Sequence, residues 1–352
     1  MRPVPQVLAI VLSTLLISFG LASRAASPNA STNNSPAGEA RSFQFTSVTH
    51  VPAMPQGSHQ LKIWVPLPYE EHSQLVSNLQ VLTPVSYKID REKEYGDRYA
   101  YVKVDSDDAR GPFDIRVTFH VQRFEHRVSL TPSNNATGEP GISTARFLQP
   151  DHLVPLDGVI NELSIQHTAG AATPLEKARQ IYDFIVASMH YDHDGKDWGR
   201  GDAVWACDSK HGNCTDFHSV FIGMARAAGI PARFEIGFPL PANVHEGAIS
   251  GYHCWAQFYV QGIGWIPIDA SEAWKNPAKR DYFFGATDQN RVMFSLGRDI
   301  RLKPAQKGEP LNYFVNPYAE LDGKPFMQLK NEYSFRDDSV PTGAAAGVST
   351  SD

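Results

Sequence analysis

GNCTDFHSVFIGMARAAGIPAR, residues 212–233, is the stretch that decides the fold. Phe217, Val220, Phe221, Met224 and Ala228 recur at helical spacing and form one apolar face. Gly229 followed by Pro231 stops that helix. Its start falls at Asn213, an N-cap residue, with Asp216 three positions on. Cys214 is then the first helical residue. A thiolate there faces unpaired backbone N–H groups and the positive end of the helix dipole, which both favour the ionised sulfur. Thiolate is the nucleophilic form, so a cysteine in this position suits covalent chemistry. The same N–H groups suit an oxyanion.

A nucleophile needs a base, and the base needs an orienting partner. Residues 251–273 read GYHCWAQFYVQGIGWIPIDASEA. Two aromatic-rich alternating runs flank Gly262-Ile263-Gly264, the pattern of a β-hairpin. His253 opens the first strand and Asp269 closes the second, within about two positions of facing each other, close enough to hydrogen-bond. Asp269 would hold the imidazole, whose other nitrogen would meet the Cys214 sulfur. Strand alternation sends Cys254 to the face opposite His253, as a buried core thiol. Cys207 falls in a loop, and a Cys207–Cys254 disulfide is a further option. His218, four residues after Cys214 on the same helical face, is a rival base. Trp198 and Trp205 are packing residues or donors to an oxyanion. Singly, Cys214, His253 and Asp269 each have a bland reading as buried thiol, strand histidine and turn acid; the ordered trio carries the chemistry.

GNCTDFHSVFIGMARAAGIPARFEIGF, YHCWAQFYV and GWIPIDAS resemble the core motifs of the transglutaminase-like superfamily, which is similar in fold and catalytic logic to papain-like cysteine proteases. The resemblance spans residues 173–271. It implies an α+β core with a helix-borne cysteine packed on an antiparallel sheet, and it implies Cys214 as nucleophile, His253 as base and Asp269 as orienting acid.

Outward from this core, Thr173, Pro174 and Glu176 form a complete helix start, followed by Ala178, Ile181, Tyr182, Ile185 and Met189 on one face. Upstream, LKIWVPLP, RYAYVKV and FDIRVTFHVQRF alternate apolar and polar residues, with Ile115, Val117, Phe119 and Val121 on one side. Several such strands predict an all-β, sandwich-like domain before the catalytic one. Residues 1–25 read as an export signal: Arg2, an apolar run from Val7 to Leu21, and small residues at Ser23 and Ala25 before the cut. The expected layout is a signal at 1–25, a flexible linker at 26–41, a β-rich domain at 42–130, a catalytic domain with a C-terminal extension at 131–335, and a disordered tail at 336–352.

Among 352 residues, 42% are apolar, which excludes wholesale disorder. With 32 basic and 38 acidic side chains the net charge is −6, so the basic footprint of a nucleic-acid binder is absent. Three cysteines exclude a four-cysteine zinc site. HYDHDGKDWGRGD at 190–202 offers Asp192, Asp194, Asp197, His190 and His193, but its spacing breaks the calcium-loop pattern, so it reads as a polar rim loop. Neither cofactor nor metal is expected, nor a membrane span once the signal is removed. The expectation is an exported, periplasmic or extracellular, cysteine enzyme transferring acyl groups from peptide or amide bonds. Hydrolysis is favoured, and its substrate pool is proteins, peptides or cell-wall peptides. The alternatives are a crosslinking transglutaminase with an amine acceptor, or a non-catalytic binding module on the same fold.

Overall fold

In the strand at 113–124, Ile115, Val117, Phe119 and Val121 are buried while Asp114, Arg116 and Gln122 are exposed, as a period of two requires. The computed structural model describes residues 38–106, 111–132 and 144–338. The expected signal, the linker up to residue 37 and the tail from residue 339 lie outside the described residues. Strands β1 (Ala40–Val51), β2 (Gln60–Pro66), β3 (Gln74–Leu82), β4 (Tyr87–Arg91), β5 (Arg98–Asp105), β6 (Phe113–Phe124) and the short β7 (His126–Arg127) come first. Helices α1 (Gly158–Thr168) and α2 (Pro174–Ser188) follow, then β8 (His190–Tyr191), α3 (Ala203–Ser209), β9 (His211–Gly212) and α4 (Cys214–Ala227). Next are β10 (Ala232–Pro239), β11 (Glu246–Ala248), β12 (His253–Val260), β13 (Gly264–Ile268) and α5 (Ala270–Lys275). The chain then runs through β14 (Ala286–Thr287), β15 (Arg291–Leu296), β16 (Tyr318–Leu321), β17 (Lys324–Pro325) and β18 (Lys330–Asp337).

The fold is α+β. A β-sheet region precedes a core of helices packed on an antiparallel sheet of order β13-β12-β10-β15. The β-region holds two five-stranded sheets, β11-β18-β1-β6-β3 and β17-β16-β2-β5-β4. Their buried faces, including Phe43, Val117 and Phe119 on one and Leu61, Ile63 and Val102 on the other, share one apolar core. Each sheet is completed by strands from the far end of the chain: β18 pairs with β1 and β16 with β2. Sequence patterning did not foresee these long-range pairings.

Aromatic packing ties the β-region to the core sheet. Phe45 of β1 stacks on Phe119 of β6 at 5.2 Å, and Phe294 of β15 and Phe238 of β10 lie 5.4 and 5.6 Å from Phe45. All four rings are buried. Burying a phenylalanine contributes about 1.5–3 kcal/mol. Four contribute about 6–12 kcal/mol before chain ordering is subtracted, the scale of a whole domain's net stability. Strands β10 and β15, which lie beside the strand of His253, are therefore anchored to the β-region.

Candidate active site

Asn213 caps α4: its Oδ1 accepts the Thr215 N–H at 2.8 Å, and Asp216 Oδ2 accepts the Asn213 N–H at 2.9 Å. Asp216 also accepts the N–H groups of Gly199 and Gly201 at 2.7 and 2.9 Å, so one carboxylate ties the helix start to the preceding loop. Gly212 makes this possible. Its φ is +141°, and a Cβ there would fall 2.3 Å from Asp216 Oδ2. Cys214 is thus the first residue of the helix, where its N–H has no intrahelical carbonyl to bond.

The hairpin forms with Val260 opposite Gly264 and Ala256 opposite Ile268. This register places His253 two positions out of line with Asp269, and the His253 Nε2–H donates to Asp269 Oδ2 at 2.8 Å. Cys214 is near enough for the sulfur and the imidazole to stabilise each other's charged forms. All three side chains are buried. Opposite His253 in β10 stands Gly237, where a Cβ would lie 1.8 Å from the Val292 carbonyl oxygen. Only glycine lets β10 and β15 approach so closely here.

The electrostatics oppose burial. Burial alone would raise the Cys214 pKa, but interactions with Cys254 and with His253 and its charge hold it well below the ordinary thiol value. Burial would depress His253, yet the Asp269 carboxylate, its hydrogen bond and Cys214 push it up to about 10. Asp269 would be raised by burial, but His253 and Arg291 hold it well below the usual carboxylate range. The directions agree on a thiolate–imidazolium pair beside an ionised carboxylate. Cys207, by contrast, is pushed up to about 12 by burial.

Several residues take places the sequence did not announce. His218 Nε2 accepts the Ala270 N–H at 3.1 Å, so its Nδ1 carries the proton and donates to the Cys214 carbonyl at 2.7 Å. Both ring nitrogens are committed and burial lowers the pKa, so His218 is a neutral strut between α4 and α5 rather than a base. Cys254 is buried, as expected, but it is part of the site. Its sulfur lies 3.7 Å from Thr215 Oγ1 and from His218 Nδ1, and its presence favours the Cys214 thiolate. Cys207 sits on α3, and all three cysteines are free. Arg291, on β15, donates to Asp269 Oδ2 at 3.0 Å with its guanidinium 4.8 Å from the Trp255 ring centre. Ser271 Oγ and the Glu272 N–H occupy Asp269 Oδ1, both at 3.0 Å. No sequence signal marks Arg291. Trp205 packs edge-on against His211 and Trp198 over His193.

A cleft of about 360 Å³ opens at His253, walled by Tyr191, Tyr252, Glu272, Lys275 and residues 239–241. Tyr252 is pinned over the helix start, accepting from Asn213 Nδ2 at 3.1 Å. In the 190–202 loop, Asp192 pairs with His211 and Asp197 with Arg200. Among the described residues no three His, Cys, Asp or Glu side chains are grouped as a metal site.

Residues 161–270 match the model of the transglutaminase-like superfamily core, a span that holds Cys214, His253 and Asp269. The chain carries a transglutaminase-like domain. An "uncharacterized protein" of Haemophilus influenzae is 28% identical over 326 residues, covering 82% of this chain and 88% of its own length. The Bacillus subtilis protein YebA is 23% identical over 149 residues, 38% of this chain and 20% of that protein. Among solved structures, a Cytophaga hutchinsonii protein named a "putative cysteine protease" shares the fold with a TM-score of 0.57 at 18% identity, covering 84% of this chain and 90% of that one. That coverage extends the likeness beyond the transglutaminase-like domain to the β-region.

Proposed function

We propose that the protein is a cysteine enzyme that breaks peptide or amide bonds by acyl transfer, with Cys214, His253 and Asp269 as its catalytic residues. The observation that carries this reading is the buried His253–Asp269 hydrogen bond beside a buried cysteine at a helix N-terminus, each of Cys214 and His253 favouring the other's charged form. The Cys214 thiolate attacks the carbonyl carbon and a C–S bond forms. The backbone N–H groups at the start of α4 hold the oxyanion. The C–N bond then breaks as the His253 imidazolium gives its proton to the leaving amine. Water, deprotonated by His253, attacks the thioester, and the acid product leaves as the thiolate returns. Asp269 keeps the imidazole oriented throughout and stabilises its charge whenever it holds the proton.

Hydrolysis is the outcome we favour, the class for which the C. hutchinsonii protein is named. Transfer to a primary amine is the competing outcome of the same thioester. The leader-like residues 1–25 support action outside the cytoplasm, on proteins or peptides there. Incubating the protein with a denatured protein substrate, with and without a primary amine, separates the outcomes by mass spectrometry. Cleaved fragments that do not need the amine support hydrolysis. Amine adducts on uncleaved chains support a transglutaminase. Neither product, from a protein with a reactive Cys214, refutes amide chemistry on polypeptides.

A further inference from the structure

A second cavity, of about 550 Å³, lies where the core sheet meets the C-terminal strands. One wall is Phe238 at the end of β10, and another is the loop 249–252 that leads into His253. The far wall is built from the C-terminal segment, with Tyr318, Phe326, Leu329 and Tyr333. The same four residues, 249–252, also wall the cleft at His253, so the two cavities meet along a four-residue partition. Ser250 and Gly251 on that partition are exposed.

The lining says what would fill it. None of the residues around this cavity is charged. Met327 at its edge is 86% exposed, the most exposed of the large apolar side chains among the described residues. Asn331 also lines it, and its buried Oδ1 has no hydrogen-bond partner. An acceptor left in that state costs free energy that an incoming N–H would restore. Phe238 and Tyr333, with ring centres 4.2 Å apart, give the floor a rigid aromatic surface. A neutral occupant with an apolar body and an N–H donor satisfies all of these features.

We propose that this cavity is a specificity subsite for a bulky apolar or aromatic side chain of the peptide whose carbonyl meets Cys214, with Asn331 accepting one of that peptide's backbone N–H groups. The proposal rests on the catalytic reading of Cys214, His253 and Asp269. It selects the substrate class: extended polypeptides with hydrophobic residues near the scissile bond. A short, carboxylate-rich cell-wall peptide would leave the cavity empty.

The test uses peptidyl chloromethyl ketones that alkylate Cys214. A single Phe is placed in turn at the second, third or fourth residue from the reactive carbon of an otherwise all-Ala peptide. Iodoacetamide, too small to use the cavity, reads the thiol alone, and every rate is normalised to it. One Phe position should alkylate Cys214 about tenfold faster than the all-Ala probe, equivalent to about 1.4 kcal/mol. Asn331→Leu and, at the exposed rim, Met327→Glu should each lower that Phe-to-Ala ratio about threefold or more. If Cys214 reacts quickly with iodoacetamide but no Phe position is preferred, the subsite is overturned and the catalytic reading stands. The same holds if the ratio is unaltered in both variants. If Cys214 reacts no faster than Cys207 with iodoacetamide, the catalytic reading falls and the subsite with it.

Discussion

Replacing Asp269 with asparagine isolates the charge that sustains the Cys214–His253 pair. Asparagine fits the same volume and keeps an oxygen for the His253 Nε2–H, so the ring can hold its orientation. The carboxylate charge is lost, and the amide NH2 that replaces Oδ1 also takes away the acceptor of Ser271 Oγ and the Glu272 N–H, on the far side from the ring. In the wild type the rise of His253 from 6.5 to about 10 corresponds to about 5 kcal/mol in favour of the imidazolium. Burial opposes that rise and Asp269 is the first of the groups that support it. Without the charge, burial dominates and His253 falls to 6.5 or below. Cys214 then loses its cationic neighbour and returns toward an ordinary thiol, near about 8.5. At pH 6.5 its thiolate fraction drops to roughly one in a hundred, and the greater intrinsic nucleophilicity of a more basic thiolate recovers part of the loss. The expected net effect is an alkylation rate about 10- to 100-fold lower at pH 6.5. The assay is iodoacetamide alkylation of Cys214 followed by peptide mapping, on a variant shown to be folded by its thermal transition. A folded Asp269→Asn protein whose Cys214 reacts within twofold of wild type refutes this account of the charge.

Cys254→Ala removes a neighbour that lowers the Cys214 pKa, so the alkylation midpoint should move to higher pH while His253→Ala moves it further. Stability against pH gives a second check. His253 has a folded pKa above its unfolded one, so its contribution is full below about 6.5 and is lost as pH rises through about 10. Cys214 is depressed, so its contribution grows as pH rises toward 9.0 and offsets that loss in the wild type. Cys214→Ala lifts the compensation. Its unfolding free energy in urea should fall between pH 6.5 and 8.5 by up to about 1.4 kcal/mol per pH unit relative to wild type, and parallel curves would argue against the ion pair. Gly237→Ala should cost about 1–3 kcal/mol or more, because the Val292 carbonyl occupies the space of the new methyl; an unchanged melting temperature would contradict the close approach. Asp216→Ala leaves the N–H groups of Gly199, Gly201 and Asn213 without their acceptor and should cost about 2–4 kcal/mol in chemical denaturation, with slower Cys214 alkylation.

The parts of the site that were legible in the sequence are those set by local physics. A cap residue, a helical stripe and a Gly-x-Pro stop fix where α4 begins, and hence that Cys214 is its first residue. A two-strand pattern around Gly262 and Gly264 fixes the hairpin and the nearness of His253 to Asp269. What was not legible depends on contacts between distant segments. Strand alternation predicts Cys254 as a core thiol turned away from His253, but it says nothing of what packs on that thiol, which is the start of α4, at Thr215 and His218. Nothing in the local sequence singles out Arg291; only when β15 is laid beside β10 does its guanidinium reach Asp269. The same holds for β16 and β18. Sequence patterning marks no strand at either, and β18 runs past the expected start of the tail at 336; both complete sheets begun more than two hundred residues earlier.

The most direct test of the central claim is the pH dependence of iodoacetamide alkylation from about pH 4 to 9, cysteine by cysteine, in wild type, Cys214→Ala and His253→Ala. The account predicts one fast thiol titrating well below about 8.5, absent from Cys214→Ala and slowed in His253→Ala, with Cys207 and Cys254 unreactive in the folded protein. Three slow thiols with ordinary pKa values, or reaction only on unfolding, would contradict it and leave a transglutaminase-like domain without its nucleophile.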